Sequence, residues 1–383
     1  MLLGVLIALP ALGTDLYVPA LPVLARSLST DVAAAQFTLT TYFIGLAAGM
    51  LLWGPLSDRF GRRPVLLCGL GLMLACSAWG SLADSIASVS LARFGQGLAM
   101  SSGAVMARSI VRDLHAYEQA ARLLATMTII FSLVPIAAPL AGAALAGSAG
   151  WRAVLAAMGF VAAILLVAVA RALPETAPVD RRSAHPFQVI LTFAMVLRER
   201  RFITPFVLIL CCHIGILAWV SSSAFVLIRG SGVSTLAYGG MFSLVMCGQI
   251  AGAWCSRRFV LGYGIGRMLR LGATVMGIAG IAAGLLAWLG QTHWLAIVLP
   301  FMGFLFGTAL IVSNATALAL SPFPAAAGSA SSLLGAIGFT IGAAVSSLLG
   351  LLFDGPARPM STAAAVAGVA AFVLHRAFLN GKT

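Results

Sequence analysis

Stretches of about twenty apolar residues follow one another from residue 2 to residue 379 with only short polar breaks. Each is long enough to cross the hydrocarbon of a bilayer as a helix rising 1.5 Å per residue. In lipid, every backbone N–H and C=O must be satisfied within the protein, so only helices and closed barrels cross. A barrel strand would alternate apolar and polar residues over about ten positions, and these runs do not alternate. With 61% hydrophobic and 9% charged residues among 383, the chain also has too little polar surface for a soluble fold of its length. The expected class is an all-α polytopic membrane protein.

Cutting at charged and Gly/Pro-rich breaks gives twelve spans. They are 2–24, 34–56, 64–82, 86–110, 119–147 and 151–173, then 203–228, 237–259, 266–290, 294–320, 327–352 and 360–379. The longest polar segment separates the sixth from the seventh. This predicts a six-helix half over 1–173, a cytoplasmic linker over 174–202 and a second six-helix half over 203–383. The first span reads as a retained helix, since no basic region precedes it and no small-residue cleavage site follows it.

The formal net charge of +13 could suggest nucleic acid, but the placement of the charge excludes that reading. The loops at 57–63, 108–122, 171–202 and 256–270, with the C-terminal tail, hold 18 Lys and Arg, and the alternate loops hold four: Arg26, Arg152, Arg229 and Arg358. That bias orients a membrane protein, with both termini and the central linker in the cytoplasm. The six cysteines lie in or beside apolar runs and predict no structural disulfide.

Four stretches carry chemistry. "GPLSDRFGRRP" (54–64) follows the second span: Gly54 and Gly61 permit a tight turn, and Asp58 sits among Arg59, Arg62 and Arg63. "LARFGQG" puts Arg93 inside the fourth span, where a charge is expensive and normally faces a partner or a cavity. "VPIAAPLAG" (134–142) places Pro139 and Gly142 in the fifth span as a bend or a small packing face. "TDLYVPALP" places Asp15 inside the first span with Pro19 and Pro22 behind it. "GYGIGR" (262–267) mimics a dinucleotide loop but follows a membrane helix, so it carries no nucleotide site. His213 in the seventh span reads either as a helix-packing residue or as a proton carrier, and Gly45/Gly49, Gly303/Gly307 and Gly338/Gly342 read as close helix contacts.

"GPLSDRFGRRP" resembles the signature loop of the major facilitator superfamily, "RFGQG" its fourth-helix motif and "VPIAAPLAG" its antiporter-associated fifth-helix motif, with Ala138-Pro139 for the usual Gly-Pro. "TDLYVPALP", "TLTTYFIG" and "SNATALALSPFPAAAGSASSLLG" are similar to the bicyclomycin/chloramphenicol-resistance (Bcr/CflA) branch of drug/proton antiporters, and "TLTTY…GPLSDRFGRRPVLL" leans toward the phenicol exporters. The resemblance implies the major facilitator fold in a bacterial cytoplasmic membrane, exporting a small-molecule drug against protons. It implies a cytoplasmic latch at Gly54, Asp58, Arg59, Gly61 and Arg62 that braces the start of the eleventh helix. It also implies proton coupling at Arg93.

By helix rise, Asp15 lies roughly 20 Å from the start of the first helix and Arg93 roughly 10 Å below the outer face, at similar depth. The expectation is that they interact, directly or through water, when Asp15 is ionised, and that Asp15 carries the proton. Tyr17, Tyr42, Met106, Trp219, Phe225 and Asn314 are candidates either to line a tolerant apolar cavity or to fill helix packing. No metal-ligand cluster, nucleophile triad or phosphate loop is visible, so neither cofactor nor enzyme activity is expected, and the working unit reads as a monomer in lipid. A metabolite exporter on the same fold is the alternative; a membrane-embedded enzyme or a channel is remoter.

Overall fold

In the computed structural model, residues 1–114, 117–177, 195–323, 327–353 and 355–379 are described. Most of the expected linker, at 178–194, therefore lies outside the described residues. The described elements are helical throughout: α1 (Leu2–Asp15), a 3₁₀ turn (Val18–Ala20), α2 (Leu21–Ser27), α3 (Val32–Phe60), α4 (Arg62–Ser81), α5 (Ile86–Leu114) and α6 (Tyr117–Ala172) come first. After the linker come α7 (Arg200–Ala224), α8 (Thr235–Trp288), α9 (Trp294–Leu320), α10 (Ala327–Leu351) and α11 (Arg358–Leu374). Among the described residues, nine helical stretches are long and apolar enough to cross a membrane.

Two of these are far longer than one crossing, and glycine breaks each. In α6, Gly150 takes φ 80°, ψ 177°, and in α8, Gly264 takes φ 80°, ψ 159°. Only glycine enters that region without strain. The breaks fall where the sequence separates the fifth from the sixth span and the eighth from the ninth. The nucleotide-like "GYGIGR" is thus the turn that divides α8. The first span is also interrupted. Pro19 has no N–H to give to the Asp15 carbonyl, so α1 ends at Asp15 and the chain tightens into the 3₁₀ turn before α2 resumes.

Small residues set the helix spacing. Gly45 of α3 faces the Phe94 carbonyl of α5, and Gly307 of α9 faces Gly272 and Met276 of α8, contacts that any side chain would block. Gly54 has open space beside it and serves no such contact.

Helices α1–α6 meet α7–α11 along two seams. In one, α3 lies on α10: Phe43 stacks on Phe339 at 6.1 Å between centroids, and Ser346 donates to the Gln36 carbonyl at 3.4 Å. Gln36 also donates to Ser222 of α7 at 3.5 Å. In the other, α6 lies on α8: Ser243 donates to the Ile136 carbonyl at 2.7 Å, and Gly239 packs on the Pro139 carbonyl. These hydrogen bonds all lie toward the end of the bundle that carries the 28–31 and 231–234 turns.

Candidate functional site

Arg93 is completely buried in α5. Its guanidinium carbon lies 4.1 Å from the ring centroid of Tyr17 and 4.1 Å from that of Tyr42, so the cation sits between two aromatic faces. Its edge is occupied by Gln96 Oε1 at 2.8 Å, one turn along α5, and by the Gly13 carbonyl at 2.8 Å. Gln96 is held in turn by donating to Ser77 at 2.8 Å.

The Gly13 carbonyl is available because the helix has just ended. In a continuing helix it would accept from the Tyr17 N–H, but that N–H turns to the Thr14 carbonyl at 3.1 Å. The proline-imposed tightening after Asp15 therefore supplies the arginine with an acceptor. The two tyrosines are locked as well. Thr38 gives its own hydroxyl proton to the Ala35 carbonyl at 2.7 Å, so in the 2.9 Å Tyr17–Thr38 contact the phenol donates. Tyr42 donates to the Pro10 carbonyl at 2.8 Å.

Asp15 is the last residue of α1 and is only 7% exposed. Arg62 pairs with Asp58 and with Asp113, and Arg152 with Asp84; among the described residues neither Asp15 nor Arg93 is in an ion pair. Of the two expected routes, direct or through water, no direct ion pair joins Asp15 and Arg93 in this structure. Arg93 instead holds the backbone two residues before Asp15, with its two terminal nitrogens on Gln96 and the Gly13 carbonyl and its plane between the tyrosine faces. The 3₁₀ turn that follows Asp15 packs on α6 and also touches α7 and α8 of the second set, so the break lies where the two sets of helices meet. Gly142 of α6 completes the setting. A Cβ there would lie 2.8 Å from the Leu16 carbonyl carbon, so only glycine lets α6 rest on the break beside Asp15. Pro139, three residues earlier, contacts α8 through its carbonyl, so the "VPIAAPLAG" segment touches both the Asp15 break and the opposite set.

The six cavity candidates are all buried in this structure. Tyr17, Tyr42, Met106, Trp219 and Phe225 are fully buried and Asn314 is 4% exposed. The tyrosines enclose Arg93, Trp219 packs on Phe301 at 5.0 Å, Phe225 on Phe353 at 5.9 Å, and Asn314 donates to Ser256 at 2.8 Å.

At the other end of the bundle, Gly61 takes φ 97° and separates α3 from α4. Arg62 reaches Asp58 at 2.6 Å and Asp113 of α5 at 2.9 Å, and also donates to Ser57. Arg59 lies over the Phe60 ring. The expected brace against the eleventh helix adjoins residues 324–326, outside the described residues. Two acidic partners were not singled out in the sequence. Asp113 is one, and Glu175, just past α6, is the other. Glu175 accepts from the backbone N–H groups of Arg62 at 2.9 Å and Arg63 at 3.2 Å, capping α4. Burial works against the charged form of Glu175, but the N–H groups of Ala177, Arg62, Thr176 and Arg63 outweigh it and hold the carboxyl below its ordinary range. Scarcity was the available signal: the chain has only ten carboxylate side chains for 23 Lys and Arg.

Comparison with known proteins agrees with this architecture. The chain is 29% identical to a bicyclomycin resistance protein homolog of Haemophilus influenzae over 360 residues, covering 94% of this chain and 90% of that protein. It is 32% identical to a chloramphenicol resistance protein of Pseudomonas aeruginosa, covering 87% and 81%. It is 31% identical to the multidrug resistance protein MdtM of Salmonella typhimurium, covering 94% and 87%. Among solved structures, a bacterial homolog of the human lysosomal transporter Spinster superposes with a TM-score of 0.74 at 15% identity, covering 99% of this chain and 96% of that one. The xylose transporter XylE of E. coli gives 0.71 at 16% identity, covering 100% and 99%. Residues 3–378 match the Major Facilitator Superfamily, and the chain belongs to that family: it is a multi-pass membrane transporter and not an enzyme.

Proposed function

We propose that this transporter exports drugs, with phenicols as the leading substrate class, in exchange for protons across a bacterial cytoplasmic membrane. On this reading it makes twelve crossings in two six-helix halves joined by the linker at 174–202, with both termini in the cytoplasm. The seam hydrogen bonds then lie on the outer side, and the protein is closed to the outside and faces inward.

The observation that carries the reading is the placement of Asp15. It is a buried carboxylate with no cationic partner among the described residues, at a proline-made break whose 3₁₀ turn reaches α6 of the first set and α7 and α8 of the second. Whether a carboxylate there holds a proton depends on the water and charge around it. Both change when the halves rock about the seams. Asp15 takes a proton from the outer solution and gives it up toward the cytoplasm, and substrate moves the opposite way. Arg93 positions this group, since its grip on the Gly13 carbonyl and the two tyrosines holds the break in register. The drug class follows from the relatives, whose names refer to bicyclomycin, chloramphenicol and multidrug resistance.

The test is Asp15→Asn in proteoliposomes with an imposed pH gradient and labelled chloramphenicol. The variant is expected to fold and to bind but to lose gradient-driven accumulation. Full gradient-driven transport in the variant would refute the assignment.

A further inference from the structure

His213 lies in the middle of α7, and the proton-coupling site makes no use of it. Its Nδ1 is 2.9 Å from the Ile209 carbonyl oxygen. A carbonyl only accepts, so Nδ1 carries the ring proton. In the neutral ring Nε2 is then a bare acceptor. Among the described residues no donor reaches Nε2, and the ring is only half-buried.

A neighbouring helix makes room for the ring. Facing it on α10 is Gly338, where a Cβ would lie 2.8 Å from Nε2 and 2.9 Å from Cδ2. Only the missing side chain leaves the imidazole its room. Gly335, less than one turn away on α10, receives Met50 from α3. A residue of the second set and a residue of the first thus meet one face of α10 side by side, and the imidazole sits at the seam between sets. Helices α3, α7 and α10 converge where Gln36 meets Ser222 and Ser346. His213 is nine residues from Ser222 along α7, roughly 14 Å farther from the end that carries the seam hydrogen bonds. A molecule lodged between the sets there meets a hydrogen-bond acceptor from the second set, while Asp15 belongs to the first.

We propose that His213 is a substrate-binding residue: its Nε2 accepts a hydrogen bond from a hydroxyl or amide N–H on a neutral, largely apolar substrate. This rests on the efflux reading above and adds to it a basis for choosing among drugs. A bulky organic cation without a donor gains nothing from His213, whereas a phenicol carries both hydroxyl and amide donors.

The experiment compares equilibrium binding of labelled chloramphenicol and of tetraphenylphosphonium, which has no donor, to purified wild type, H213L and H213Q. One lost hydrogen bond to a ligand is worth roughly a five- to tenfold change in affinity. H213L should weaken chloramphenicol binding by about that factor. H213Q, whose amide oxygen can accept, should stay within about twofold of wild type. Tetraphenylphosphonium binding should not move in either variant. Wild-type chloramphenicol affinity in H213L would overturn the inference. So would H213Q as weak as H213L, or an equal loss of both ligands, because either result would make His213 a packing residue. Those results leave the efflux reading standing; wild-type protein that binds neither compound would overturn both.

Discussion

Arg93 and Arg62 satisfy the same group in opposite ways. Arg62, near the membrane surface, is held by two carboxylates, Asp58 and Asp113. Arg93, deep in the bundle, is held by two tyrosine faces, one amide oxygen and one backbone carbonyl. A guanidinium keeps its proton under any accessible condition, so its site must supply acceptors or π density wherever it lies. Using a carboxylate for Arg93 would have neutralised the pair and occupied Asp15. Neutral partners leave the Asp15 carboxylate outside any ion pair with Arg93. The lesson of the comparison is that a buried arginine can be held by uncharged groups alone, even with a carboxylate two residues from the carbonyl it grips.

The largest effect should come from removing Arg93. R93A leaves the Gly13 carbonyl and Gln96 without their partner and empties the space between two rings. It should cost about 3 kcal/mol or more, read as a fall in thermal unfolding temperature in detergent. R93K keeps the charge but not the planar fork, so it should restore much of the stability and little of the gradient-driven transport. Equal transport by R93K and wild type would mean that charge alone suffices, and the contrast with Arg62 would collapse.

The next effect is smaller and grades the two carboxylates on Arg62. The Asp113 side chain is 8% exposed and that of Asp58 is 33% exposed. D113N should therefore cost about 1–2 kcal/mol and D58N roughly half as much, because solvent screens the more exposed partner. Thermal unfolding of the two variants side by side tests the order, and a larger loss in D58N would reverse it.

The smallest effect is at Glu175. Its carboxyl is held below the ordinary range. Its contribution is therefore complete above the ordinary carboxylate range and is lost as pH falls through the lowered value. E175Q should cost about 0.5 kcal/mol at neutral pH and abolish that part of the acid-side loss. A wild-type and an E175Q unfolding profile that run parallel from neutral to acid pH would show that the cap carries no charge-dependent term.

Much of this was legible in the residues themselves. The apolar runs required a helical membrane fold, the arginine count set an expected orientation, and Pro19 explains why the first helix breaks after Asp15. The glycines at 150 and 264 divide two very long helices where the sequence puts span boundaries. These inferences hold because transfer into lipid, helical rise and proline's missing N–H act within a window of a few turns. Partner choice does not. The carbonyl that holds Arg93 is 80 residues away in sequence, and the carboxylate that caps α4 is 113 residues from Arg62. Only the tertiary structure could show that Arg93 takes the Gly13 carbonyl, that the aromatic cavity candidates are buried, and that Gly338 gives the His213 ring its room. A sequence specifies which groups need partners; the packing of distant helices decides which ones they find, because hydrogen bonds and ring contacts depend on ångström distances that no local pattern encodes.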